Sequence, residues 1–371
     1  MSVLLKGLKV LDFSSLLPGP FATMYLADLG AEVFHIESEA RPDAVRQMPP
    51  FDHEGQSYVF NYLNRNKQSI CLDLKQQLSI DLLYSKLQDI DIVVEQFRPG
   101  VMQRLGLGYE QLRQINPRII YCSITGYGQT GPYKDKAGHD LNYMGLSGIA
   151  GHSGRLDQGP ATLGIQVADV AGGSMHAVVA ILAAVIERQS SGLGRYIDIS
   201  MTDCAAALNS MAAAAELNGV AQKPEHNFFN GGTFYDYYRC QDGRYLSVAS
   251  VEPKFLVGLA GLLELPNLIS KAASLRALDQ QAAKKILQEK FLEKTSTEWQ
   301  VFFAAHDVCV EPVLNLNEAL HSSLAEAREW LVNVPNPDDH SMELQLACPI
   351  KFSRSTLRYD FKGQKLGSGQ W

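Results

Sequence analysis

Three groups of residues in this chain of 371 have types and spacings that could do chemistry. Gly126-Tyr127-Gly128-Gln129-Thr130-Gly131 satisfies the G-x-G-x-x-G spacing that, before a helix, lets backbone amides hold a pyrophosphate. Pro132-Tyr133-Lys134-Asp135 follow and open no such helix, so the glycines read as a tight turn that still lets another ligand approach the backbone. In the second group, Gly138-His139-Asp140 sits in a loop or helix start, and Asp169 stands at the head of a long apolar helix. An Asp before Val170-Ala171-Gly172-Gly173 suits an N-cap for orphan amides and also suits a catalytic carboxylate; spacing leaves both open. The third group is basic: Lys75, Arg98 and Arg104 punctuate strand–loop steps. Arg98 lies in Gln96-Phe97-Arg98-Pro99-Gly100, just beyond an apolar strand, where ligands collect in an open α/β sheet. Solvated surface charge and phosphate contact both fit these cations.

The elements that must position these residues alternate. Strands are expected at Lys9 to Phe13, Glu32 to Ile36, Ser69 to Leu74, Ile90 to Glu95 and Arg118 to Ile124. Helical stretches lie between several of them, beginning with Phe21 to Leu29, which ends at Gly30. Such alternation predicts a parallel, helix-covered sheet. Helices Val170 to Arg188 and Met201 to Leu217 flank a short strand, Arg195 to Ile199. From about Asn227 aromatic residues crowd together, a strand Tyr245 to Val248 follows, and helices with Lys/Glu-rich faces run to about Ala305, which marks a smaller second domain. The tail Ile350 to Tyr359 is expected to return to the first domain.

Composition narrows the function classes. With 33 Lys+Arg against 40 Asp+Glu, a formal charge of −7 and 46% hydrophobic residues, the chain is globular and presents no broad nucleic-acid or anionic-membrane footprint. The six cysteines are scattered, with no C-x-x-C pair and no His at zinc-site spacing, which predicts reduced thiols, a cytoplasmic location and no metal. The apolar start MSVLLKGLKVLDF is too short for a signal peptide, and the longest clean apolar run, Ala177 to Ile186, is half a membrane span.

The chain resembles the family III CoA-transferases, a group that includes α-methylacyl-CoA racemases. The likeness rests on Gly7-Leu8-Lys9-Val10-Leu11-Asp12, Pro18-Gly19-Pro20-Phe21-Ala22, Ala27-Asp28-Leu29-Gly30-Ala31, Phe97-Arg98-Pro99-Gly100-Val101, Leu105-Gly106-Leu107-Gly108 and Gly126 through Pro132. The racemase branch is indicated by Ala137-Gly138-His139-Asp140-Leu141-Asn142-Tyr143, Asp169 through Met175, Asp242 through Tyr245 and Val251-Glu252-Pro253-Lys254-Phe255. The resemblance implies an α/β fold: a Rossmann-like large domain with a parallel sheet, from residues 1–224 and 326–371, plus a smaller inserted α+β domain, 225–325. Two copies would interlock as a homodimer, with the active site between subunits. Leu72, Lys75, Arg98, Arg104, Ala137, Gly138 and Asp140 stand at positions matching the family's CoA contacts. An Arg usual after the second strand has no match; Ser38 occupies its place and Arg41 stands three residues on.

In the racemase branch the chemistry is proton transfer on an acyl-CoA thioester, with CoA part of the substrate and no separate cofactor. The α-proton of such a thioester is acidic enough for side chains to remove when hydrogen-bond donors hold the enolate. His139 would serve one face and Asp169 the other, with Glu252 supporting the imidazole. A helix dipole at Asp169 lowers its basicity, so burial must push the other way. The alternative in the same fold is a CoA-transferase using Asp169 as nucleophile, which has no need of a second base at His139.

Overall fold

Short apolar runs at Lys9–Phe13 (β1), Glu32–Glu37 (β2), Lys67–Cys71 (β3), Ile92–Glu95 (β4), Ile120–Thr125 (β5) and Tyr196–Ser200 (β6) form one sheet in the order β3-β2-β1-β4-β5-β6. All its neighbours run parallel. A computed structural model describes residues 4–371; Met1 to Val3 of the apolar start lie outside the described residues. Val10, Leu11, Val93, Val94, Ile120 and Ile124 are buried, as expected of strands covered on both faces. β3 begins at Lys67, earlier than the expected Ser69, because Lys67 is itself buried and neutralises Asp12 on β1. A lysine at a strand start disguised that beginning.

The helix after β1 spans Pro18–Asp28, starting before the expected Phe21 because Pro18 and Pro20 suit a first turn. The expected helix from Val170 starts as a π-helical turn, Ala168–Ser174, that continues into the α-helix Met175–Ser191. Together they form 24 residues, long and apolar enough by length and composition to cross a membrane, where the ten-residue run suggested only half a span. This helix nevertheless packs on β5, β6 and the Pro18–Asp28 helix, and its Arg188 is buried on Asp91 at 2.8 Å. The expected helix from Met201 to Leu217 is two, Met201–Leu208 and Ser210–Glu216, interrupted at Asn209.

That interruption falls where the chain passes between two compact units. One unit takes the chain up to Ser147, Leu163–Leu208 and Ser323–Trp371; the other takes Gly148–Thr162 and Asn209–Ser322. The division therefore differs from a 225–325 segment. Residues 148–162 join the second unit because Arg155 grips Asp236 at 2.5 Å and Glu225 at 3.0 Å. The second unit has a small antiparallel sheet, β7 (Asp236–Arg239), β8 (Tyr245–Val248) and β9 (Val310–Pro312). Its core gathers Phe291, Trp299 and Phe303 from helices Ala277–Phe291 and Ser296–Phe303. In the first unit the tail follows the hairpin β10 (Leu331–Pro335) and β11 (Met342–Leu346). There the Arg358 amide donates to the Asp28 carbonyl at 2.9 Å, and Trp371 stacks on Phe34.

Candidate active site

From β1 the sheet extends one way through β2 and β3, and from β4 the other way through β5 and β6, so the strand order reverses between β1 and β4. Ligands of open α/β sheets bind beyond the strand ends at such a reversal. Here the segments after β1 (Leu16, Leu17), β4 (Gln96 to Pro99) and β5 (Gly126, Tyr127) line a cleft of about 640 Å³. Gly19, next to the lining residue Pro18, donates its amide to Gln96 Oε1 at 3.0 Å. A Cβ on Gly19 would fall 2.1 Å from Ser14 Cβ, so no side chain fits there.

His139 and Asp169, thirty positions apart, both line this cleft. His139 is exposed and precedes the helix Asp140–Leu146, with its amide donated to Asn142 Oδ1 at 3.0 Å. The ring of Tyr143 explains the nearby glycines. A Cβ would lie 2.5 Å from that ring at Gly126 and 2.7 Å at Gly138, and the Tyr143 hydroxyl donates to the Gly138 carbonyl at 2.5 Å. Gly128 and Gly131 have positive φ, so the three-glycine spacing is a turn, and no helix follows until Asp140.

Asp169 is not an N-cap. It lies inside the π-helical turn, after Val167 in the cap position, and its carboxylate accepts no hydrogen bond among the described residues. The turn reaches back one step further than the sequence suggests, through the Val170 amide to the Gln166 carbonyl. Gly172 and Gly173 let it sit against the helix Met201–Leu208, where a Cβ on Gly173 would come 2.8 Å from Met201 Cγ. Burial, followed by the charge of Asp140, pushes the Asp169 carboxyl up to about 7. Burial is the larger of the two causes of that rise.

The cations divide. Arg98 lines the cleft together with Lys134 and Lys136, while Arg104 lines an adjoining hollow of about 570 Å³ that shares Lys134 and Pro99. Among the described residues neither Arg98 nor Arg104 has an ion pair, which leaves both guanidinium groups free for an anion. Ala137 and Gly138 line the cleft; Asp140 instead accepts the Asp169 amide at 3.0 Å. Leu72 and Lys75 follow β3 and do not line it: Leu72 packs into the core and Lys75 is exposed. Arg41 is exposed in the turn after β2, its amide bonded to the Ser38 carbonyl. Glu252 is exposed at the start of the helix Pro253–Leu262 in the second unit.

Several lining residues escaped the sequence reading. Lys134 and Lys136 were legible only as two lysines shortly before His139. Leu16, Val45, Met48, Val59 and Leu63 form an apolar part of the lining and carried no signal, since apolar residues at such spacings read as core.

A family model described as CoA-transferase family III matches residues 5–368. The chain is 36% identical over 326 residues to an alpha-methylacyl-CoA racemase of Mus musculus, covering 86% of this chain and 80% of that protein. It is 34% identical over 349 residues to a succinyl-CoA:glutarate CoA-transferase of Homo sapiens, covering 90% and 79%. The crystal structure of a CAIB/BAIF family protein from Brucella suis superposes with a TM-score of 0.84 at 29% identity, covering 98% of this chain and 96% of that one.

Proposed function

The chain belongs to CoA-transferase family III, an enzyme family, and from that premise we propose that it is an α-methylacyl-CoA racemase. The observation that carries this reading is the presence of His139 and Asp169 in one cleft, with the Asp169 carboxyl raised to about 7. A carboxylate of that basicity removes a carbon-bound proton more readily than an ordinary one, because proton-transfer catalysis favours groups that titrate near the working pH. One group takes the α-proton of a 2-methylacyl-CoA, and the C–H electron pair moves onto the thioester oxygen. The other group returns a proton to the opposite face, and the electron pair comes back to carbon. Atoms balance without an oxidant or a resident cofactor, with CoA entering as part of the substrate.

Arg98, Arg104, Lys134 and Lys136 are assigned to the phosphates of CoA, and Glu252 to supporting the His139 imidazole within a homodimer. The second reading is CoA transfer through an Asp169 anhydride; the absence of hydrogen bonds to that carboxylate among the described residues suits a nucleophile as well. One experiment separates them. A single epimer of a 2-methylacyl-CoA, incubated in deuterated water without an acyl acceptor, should gain deuterium at the α-carbon and yield both epimers. No label, together with CoA transfer to an added carboxylate, would replace racemase with transferase.

A further inference from the structure

The first-turn amide of a helix has no partner inside the helix and is ordinarily met by a local cap or by water. The Asp169 amide is met by Asp140 Oδ1 at 3.0 Å, from a residue 29 positions earlier in the chain. Asp140 immediately follows His139 and opens the helix Asp140–Leu146, which packs on the π-helical turn. We propose that Asp140 is a positioning residue: its side chain clasps the turn bearing Asp169 to the turn bearing His139, fixing the spacing of the two groups across the substrate carbon. This rests on the proton-transfer reading of Asp169.

The choice of residue is informative. An Asn or Ser would satisfy the amide equally well, without setting a second carboxylate beside Asp169. The carboxylate adds repulsion that makes Asp169 harder to ionise, and it comes second to burial in doing so. A local arrangement that costs stability and improves a reactive group is characteristic of a functional site. Other groups near Asp169 do not replace this effect. Tyr143, on the same helix as Asp140, is itself pushed up to about 12, by burial and then by Asp169 and other neighbours. Tyr127, Lys134, Lys136 and His139 face the cleft from the preceding loop, and Arg98 from the loop after β4. Cys204 approaches Gly172 from the helix Met201–Leu208, and His176 Nδ1 lies 2.8 Å from the Gly172 carbonyl. Burial and Asp140 are the causes of the Asp169 shift.

The test uses Asp140→Asn, which keeps an acceptor and removes the charge, and Asp140→Ala, which removes both. The full-length protein is followed by α-proton exchange from each epimer across pH, with Asp169 titrated directly by carbon NMR of labelled aspartate. In Asp140→Asn the Asp169 titration and the acid limb of exchange should both move down, by about one unit. The high-pH rate should fall only a few-fold, as expected of a weaker base still in position. Asp140→Ala should lose at least tenfold more rate than Asp140→Asn while melting within a few degrees of it. An Asp169 titration unmoved in Asp140→Asn, or equal rates in the two variants, overturns the proposal. If Asp140→Ala does not fold, hydrogen exchange at the Asp169 amide of the parent decides: a slowed amide supports the clasp, and exchange as fast as at an unbonded first-turn amide overturns it. Asp169→Asn, assayed in parallel, tests the underlying reading separately: full exchange in that variant removes the base role whatever Asp140 does to the titration.

Discussion

Asp12 and Asp169 are one residue type on the same α/β unit, with opposite proton affinities. Asp12 is fully buried at the end of β1, where burial by itself would raise its pKa. The Lys67 ammonium at 3.1 Å, His35 at 3.4 Å and the Ser14 hydroxyl outweigh that and hold the carboxyl far below the usual range. Lys67 is satisfied in turn by the Pro20 carbonyl at 3.0 Å and Asn64 Oδ1 at 2.9 Å. Asp169 is less buried, has no cationic partner among the described residues, and has Asp140 beside it. Depth therefore does not decide basicity; the company of the carboxylate does. Asp12 stabilises the sheet by being paired, whereas Asp169, without such a partner among the described residues, keeps a raised proton affinity.

The largest effect should come from breaking the paired site. Asp12→Ala leaves the Lys67 ammonium buried and unpaired, which costs about 3–5 kcal/mol; urea unfolding should show a lower midpoint at unchanged slope. Asp169→Asn should leave the fold intact and slow α-proton exchange by about 10²–10⁴-fold, the usual worth of a positioned acid or base. Wild-type exchange in that folded variant would return Asp169 to a structural role. Arg98→Ala should weaken acyl-CoA binding by about 1.5–3 kcal/mol, the range of a charge-assisted contact, measured by titration calorimetry at low salt. Unchanged affinity would make Arg98 a solvated surface charge.

The pH dependence of stability should carry opposite signs at the two sites. Asp12 is depressed in the folded chain, so its contribution is complete above the unfolded value of 3.8 and is lost as pH falls below it. Asp169 is raised from 3.8 to about 7, so the folded state holds its proton more tightly and stability declines as pH climbs between those values. Relative to the parent, Asp169→Asn should therefore gain melting temperature between pH 4 and pH 7 and keep that gain above it. Parallel melting curves across that range would mean that Asp169 titrates like an exposed aspartate.

The sequence by itself determined the alternating α/β organisation, because buried parallel strands are short apolar runs separated by helical periods. It also picked out His139, Asp169 and Arg98 through local motifs. It could not tell a paired carboxylate from an unpaired one. Asp12 stood in a family motif with no visible role, since Lys67 and His35 reach it from other strands. At Asp169 the spacing left cap and carboxylate base both open, since the π-helical turn depends on how Gly172 and Gly173 meet Met201. The apolar lining from Leu16 to Leu63 was equally illegible, because a cleft wall and a core use the same residues. Charge state and cleft shape are set by neighbours distant in the chain, and only the tertiary structure supplies those neighbours.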